Sequence, residues 1–185
     1  MNYFKNLKNK IKNKSAIIAI IGLGYVGSEI LKKLSSAGFN TIGLDNNEDK
    51  LKKINKNKNI FLTASYKYIK KADVIIIAVP TPLKKNLTPD ISYLKNVEKS
   101  LRGNLKKGQL ITLESTVYPG TTEDIFAKSL IKNKFNISED FFLVFSPERI
   151  SPELKVPDKS IKYNLSNTPK IYSGFSKNCS FLGKL

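Results

Sequence analysis

Histidine is absent from this 185-residue sequence. That excludes Ser-His-Asp triads, HExxH zinc sites and acid–base chemistry by imidazole. There is one cysteine, Cys179, so no internal disulfide framework can form. Arginine occurs only as Arg102 and Arg149. No apolar run reaches the roughly 18 to 20 residues of a membrane-spanning helix. The sequence is therefore expected to take neither a metal nor a place in a membrane.

What is abundant is lysine. The formal charge is +17, an excess that attracts phosphates and raises the question of nucleic acid. The lysines are mixed with asparagine and isoleucine along the whole chain rather than gathered in one block with interleaved aromatics. Arginine, the better bidentate reader of phosphate and guanine, is nearly missing. This pattern reads as compositional bias, of the kind an AT-rich genome imposes, with no nucleic-acid partner expected. A lysine-rich binder of nucleic acid or anionic surfaces stays as the alternative class, and it predicts a steep salt dependence.

The hydrophobic fraction of 41% is enough for one domain with a sizeable core. Residues 1–14 form a basic leader in which Tyr3, Phe4, Leu7 and Ile11 fall at near-helical spacing. They read as a short amphipathic helix or a frayed leader on the surface. Residues 16–21 are continuously apolar, as a strand covered on both faces should be. A basic start followed by an apolar run also opens secretory signals, and the residues downstream decide between the two. Strands are expected at 40–44, Ile60–Thr63, 73–79, 109–115 and 141–145, and helical segments at 25–37, 47–56, 66–71, 91–103 and 121–132. This alternation implies an α/β, Rossmann-type, doubly wound and mainly parallel sheet with helices on both faces. After Pro147 periodicity fades into a loop with a short strand at 170–172. The domain is bounded at 15–175, with 176–185 as a tail.

Within the opening apolar stretch lies Gly22-Leu-Gly24-Tyr-Val-Gly27, the GxGxxG pattern. Its first glycine makes a tight turn, its second lets backbone approach a pyrophosphate, and its third lets helix and strand pack closely. The motif alone is weak. Here a strand precedes it, a helix follows it, and Asp45 ends the next strand about 20 residues beyond the first glycine. A carboxylate there accepts from the adenosine ribose hydroxyls and repels a 2′-phosphate, which favours NAD over NADP. The alternative is that Asp45 caps the helix after it.

Three more polar stretches follow apolar runs: AVPTPL (78–83), LESTVYPGTTE (113–123) and VFSPERI (144–150). With GLGYVG, Asp45 and LTPDISYL they stand in an order that resembles the UDP-glucose/GDP-mannose 6-dehydrogenase family. The ESTVYPGTTE and SPER forms are most similar to its bacterial branch acting on UDP-N-acetylhexosamines. The resemblance covers about residues 12–175. It implies a cytoplasmic enzyme that oxidises the C6 alcohol of a UDP-sugar through an aldehyde to a uronate, for surface polysaccharide synthesis. Two hydrides pass to two NAD molecules, and a cysteine thioester forms on the way. It implies that Gly22, Gly24, Tyr25, Val26 and Gly27 contact the pyrophosphate and that Asp45 takes the ribose. Thr81 would lie by the cofactor, Thr116 by the nicotinamide and a catalytic water, and Glu148 would do acid–base work. Without the family, Thr116 is a strand-end hydroxyl satisfying backbone and Glu148 a surface ion pair, with neighbouring Arg149 as one partner.

The chain departs from the family in two ways. Family members are usually dimers and carry a central helical domain and a second nucleotide-binding domain, which supply a catalytic lysine, asparagine and cysteine. Neither domain is in this sequence. Cys179, in FSKNCSFLGKL, lacks the nucleophile's glycine-rich context and reads as structural. Pro152-Glu153 stands where the related branch usually has Pro-Gly. The expectation is an NAD-binding domain that does not complete the oxidation alone. An inactive remnant is the further alternative.

Overall fold

A computed structural model describes residues 2–55, 57–148 and 169–185. The expectations for Arg149, Pro152-Glu153 and the loop around them lie outside the described residues. Six strands form a parallel sheet: β1 (Ile17–Ile21), β2 (Asn40–Leu44), β3 (Ile60–Thr63), β4 (Val74–Ile77), β5 (Leu110–Leu113) and β6 (Phe142–Phe145). A two-residue strand, β7 (Ser173–Gly174), adds to β6 antiparallel. The order is β3-β2-β1-β4-β5-β6-β7. The chain leaves β1 to one side for β2 and β3, then returns to its other side with β4. That reversal opens a crevice at the carboxyl ends of β1 and β4, where open α/β sheets hold ligands.

Both faces of the sheet are covered, which explains the unbroken isoleucine of β1. Ile18 and Ile20 face Leu7, Ile30, Leu31 and Leu182. These come from helices α1 (Tyr3–Lys12), α2 (Tyr25–Ser36) and, at the far end of the chain, α6 (Lys177–Lys184). Between them in sequence lie the short α3 (Glu48–Lys52), α4 (Ser92–Leu101) and α5 (Lys128–Lys132). Ala19 and Ile21 face the other layer, which holds Ile69, Leu94, Val97, Leu101, Phe126 and Leu130. Strand positions agree with the sequence pattern to within one or two residues at each end.

The helices differ from expectation in informative places. The expected 47–56 segment shortens to α3, because Ile54 turns under the sheet as the chain heads for β3. The expected 121–132 helix opens with a π-helical turn, Glu123–Ala127, before α5. The widened turn puts Phe126, Ala127 and Leu130 together on the face that meets the sheet. Of the two readings for residues 1–14, the short amphipathic helix forms, as α1, and its apolar face is covered by the core rather than left at the surface. Leu7 is 2% exposed, Phe4 packs edge-on against Phe142 and Phe181, and Lys10 pairs with Asp73 at 2.8 Å. Residues 176–185 are likewise ordered, as α6. The strand expected at 170–172 forms instead at Ser173–Gly174. There the missing side chain matters, since a Cβ on Gly174 would lie 2.1 Å from the Ser180 nitrogen of α6.

Candidate functional site

The glycine-rich turn between β1 and α2 has the three features that its spacing implies. Gly22 sits at φ +92°, and a Cβ there would meet the Ala78 carbonyl oxygen at 2.7 Å. Only glycine takes that turn without strain. A Cβ on Gly27 would fall 1.8 Å from the carbonyl oxygen of Gly22, so the third glycine is what allows helix and turn to touch. Nothing lies within 4 Å of a Cβ on Gly24. Its backbone faces open space at the start of α2, where unpaired N–H groups and the positive dipole end favour phosphate. Tyr25, more than half exposed, and Val26, half-buried, follow it on the first turn.

Asp45 ends the run of β2 and is 5% exposed. One carboxylate oxygen accepts the Leu23 N–H of the glycine turn at 2.8 Å, and the other accepts the Asn47 N–H at 2.9 Å. The Lys50 ammonium lies 3.3 Å away. Asp45 does not cap α3. Asn47 does, its side chain accepting from the N–H groups of Asp49 and Lys50. Asp45 instead ties the end of β2 to the glycine turn. Its charge, together with burial as the larger cause, pushes the Tyr66 phenol up to about 12.

Across the crevice, Thr81 donates from its hydroxyl to the Thr116 carbonyl at 2.6 Å, and Ser115 donates to the Val79 carbonyl at 2.7 Å. These two bonds knit the loops that follow β4 and β5. The Thr116 residue is exposed at the rim. Glu148 lies beyond β6, its backbone N–H donating to the Glu114 carbonyl at 3.0 Å. A cleft of about 370 Å³ joins these pieces, lined by Gly24, Tyr25, Val26, Lys50, Thr81, Thr116, Glu114 and Glu148. The structure thus brings the second-glycine end of the turn, Thr81, Thr116 and Glu148 to one cavity, with Asp45 behind Lys50 at one end.

Two charged residues in this region escaped the sequence reading. Glu114 is buried at the end of β5, and Lys170 forms ion pairs both with it and, at 3.0 Å, with Glu148. Burial pushes the Glu114 carboxyl up, against the partial relief that the Lys170 ammonium gives. Burial pulls Lys170 down, but the two carboxylates outweigh it and hold its ammonium above the ordinary lysine range. Glu114 stood inside the quoted LEST stretch, so its place at a strand end was an available signal. Lys170 is 56 residues away from Glu114 in the chain, and no local pattern points to it. Cys179 is far from this chemistry in kind as well as place. It lies on the inner face of α6, fully buried, and its sulfur accepts the Leu143 N–H of β6 at 3.4 Å.

Among the described residues there is no cluster able to hold a metal ion, and no helix is long and apolar enough to cross a membrane. The open approach at Gly24, the left-handed Gly22 and the tight Gly27 fit a dinucleotide's pyrophosphate. The model of the UDP-glucose/GDP-mannose dehydrogenase family, NAD binding domain, matches residues 16–62 and 56–171. Protein CapL of Staphylococcus aureus is 37% identical over 154 residues, covering 75% of this chain and 36% of that protein. The UDP-N-acetyl-D-glucosamine 6-dehydrogenase of Pseudomonas aeruginosa is 33% identical over 176 residues, covering 87% of this chain and 40% of that enzyme. The solved structure of the UDP-N-acetyl-mannosamine dehydrogenase Cap5O from Staphylococcus aureus superposes with a TM-score of 0.72 at 31% identity, over 91% of this chain and 44% of that one. The chain therefore spans about two fifths of the length of such relatives.

Proposed function

The chain belongs to the UDP-glucose/GDP-mannose dehydrogenase family, as its NAD-binding domain, and from that premise we propose that it is the cofactor half of a cytoplasmic UDP-N-acetylhexosamine 6-dehydrogenase. The observation that carries this reading is the single cleft running from the glycine turn to Thr116 and Glu148. Bound NAD supplies the hydride acceptor. The chain's own residues hold and orient. The N–H groups at Gly24, Tyr25 and Val26 take the pyrophosphate at the start of α2. Asp45 accepts from the ribose hydroxyls once Lys50 swings aside. Thr81 fixes the Thr116 loop through its hydroxyl, which leaves the Thr116 side chain at the rim, beside the nicotinamide half of the cleft. Glu148, beyond β6, is the group that takes or gives a proton at the sugar's C6.

What supports the cytoplasmic reading is β1. Its apolar run is the centre of the sheet, between β2 and β4, so processing as an export signal would remove the strand on which the cleft is built. The rest of the sugar site, and the cysteine that forms the thioester, belong to the other domains of the family. Cys179, buried on the inner face of α6 and absent from the residues that line the cleft, reads as structural. The test pairs two measurements on the 185-residue chain. Calorimetry should show saturable NAD binding. Incubation with NAD and UDP-N-acetylglucosamine or UDP-N-acetylmannosamine should produce no NADH. Turnover by this chain alone would overturn the division of labour, and absence of NAD binding would overturn the reading of the cleft.

A further inference from the structure

Glu114 and Glu148 line the cleft, and Lys170 forms ion pairs with both. Glu114 closes β5 and Glu148 follows β6, both on the β4 side of the sheet's reversal. Asp45, at the end of β2, marks the adenosine side. The two carboxylates therefore lie on the nicotinamide side. One ammonium stands between them, 3.0 Å from Glu148 and in direct contact with Glu114. Among the described residues, the charged groups that face Glu114 are Lys170 and Glu148, and Ser146 hydrogen-bonds to it.

We propose that Lys170 is a positioning residue that sets the charge of the nicotinamide half of the cleft, and thereby how strongly the cleft prefers the oxidised, cationic ring over the neutral reduced one. The inference rests on the NAD reading of the cleft. Ionised Glu114 makes the cluster one unit more negative, which favours NAD⁺ over NADH. When Glu114 takes up a proton that unit of charge is gone and the preference fades. The preference should thus step upward with pH as Glu114 ionises. Burial favours the protonated form of Glu114 and the ammonium opposes it, so removing the ammonium must move the step to higher pH.

The experiment measures Kd for NAD⁺ and for NADH by calorimetry between about pH 4 and 9, a range that spans ordinary and strongly raised glutamate values. The chains compared are the wild type, Lys170→Met, Lys170→Arg and Glu114→Gln. In the wild type the ratio Kd(NADH)/Kd(NAD⁺) should rise severalfold across one step, roughly fivefold for a single screened charge at the cleft. Lys170→Met should shift the midpoint upward by at least one pH unit or so, Lys170→Arg should keep it near the wild-type position, and Glu114→Gln should abolish the step. A purely structural lysine would change the melting temperature of Lys170→Met and leave the midpoint alone. An unmoved midpoint in Lys170→Met overturns the inference by itself. If Lys170→Met does not fold, a step that persists in Glu114→Gln overturns it instead. If neither cofactor binds the wild type, the reading of the cleft falls together with it.

Discussion

Asp45 serves two purposes with one carboxylate. Its hydrogen bond to the Leu23 N–H holds the glycine turn, and the side that Lys50 covers is the proposed ribose acceptor. Asp45→Ser should weaken NAD binding and narrow its lead over NADP, measured by calorimetry with both cofactors. It should also destabilise the fold by about 1 to 3 kcal/mol, because a buried N–H loses its acceptor. Unchanged cofactor preference would remove Asp45 from the site. Gly27 offers a sharper test of the turn. With only 1.8 Å between an added Cβ and the Gly22 carbonyl oxygen, Gly27→Ala must push α2 off the turn. It should cost about 1 to 3 kcal/mol or more in denaturant melts and abolish NAD binding. Gly24→Ala, where the space is open, should fold normally and still lose NAD affinity, since the added methyl occupies the approach of the pyrophosphate.

At the scale of elements, the two ends of the chain are held together. Phe4 of α1 and Phe181 of α6 stack edge to face, with ring centres 5.6 Å apart, over a common patch of β6. Leu7→Ala should therefore cost about 2 to 5 kcal/mol, as a core truncation does, rather than the near-zero cost of a surface leader. The Cys179 thiol should resist alkylation in the native chain and react only as α6 detaches, which a labelling time course against denaturant would show. On the opposite face, Glu98 of α4 accepts two hydrogen bonds from Arg102 at 2.8 Å each and one from the Ser129 hydroxyl of α5. Burial pushes the Glu98 carboxyl up, but these bonds and the nearby cations outweigh it and hold it below its ordinary 4.5. A carboxyl depressed in the folded state contributes stability above its unfolded value and loses it as pH falls through the folded one. The wild type should thus lose more stability than Glu98→Gln on acidification below about pH 4.5, as followed by urea melts at several pH values.

At the scale of the whole molecule, the sequence and the structure agree where the physics is local. The continuous isoleucine of β1, the glycine spacing and the acid after β2 are consequences of covered strands and a tight turn, and each can be read in a window of a dozen residues. Packing partners are not local in that sense. Tyr3, Phe4 and Leu7 display an amphipathic face, but nothing in those residues says that Phe142 and Phe181 will cover it. Lys170 is one lysine among many, and only the return of the chain beside β6 places it between Glu114 and Glu148. Other lysines are likewise matched at short range and so add nothing to the net charge of +17: Lys10 with Asp73, Lys50 with Asp45, and Lys107 with Asp140 at 2.6 Å. The central claim is that this domain's cleft is built for NAD. Thermal unfolding of the wild type and of Gly24→Ala, with and without NAD at about 100 times its Kd, tests it most directly. A ligand at that excess stabilises the native state by about 2.7 kcal/mol, so the wild type should melt several degrees higher with NAD and Gly24→Ala should not move. Equal melting temperatures for the wild type with and without NAD, at any concentration up to millimolar, would contradict the account.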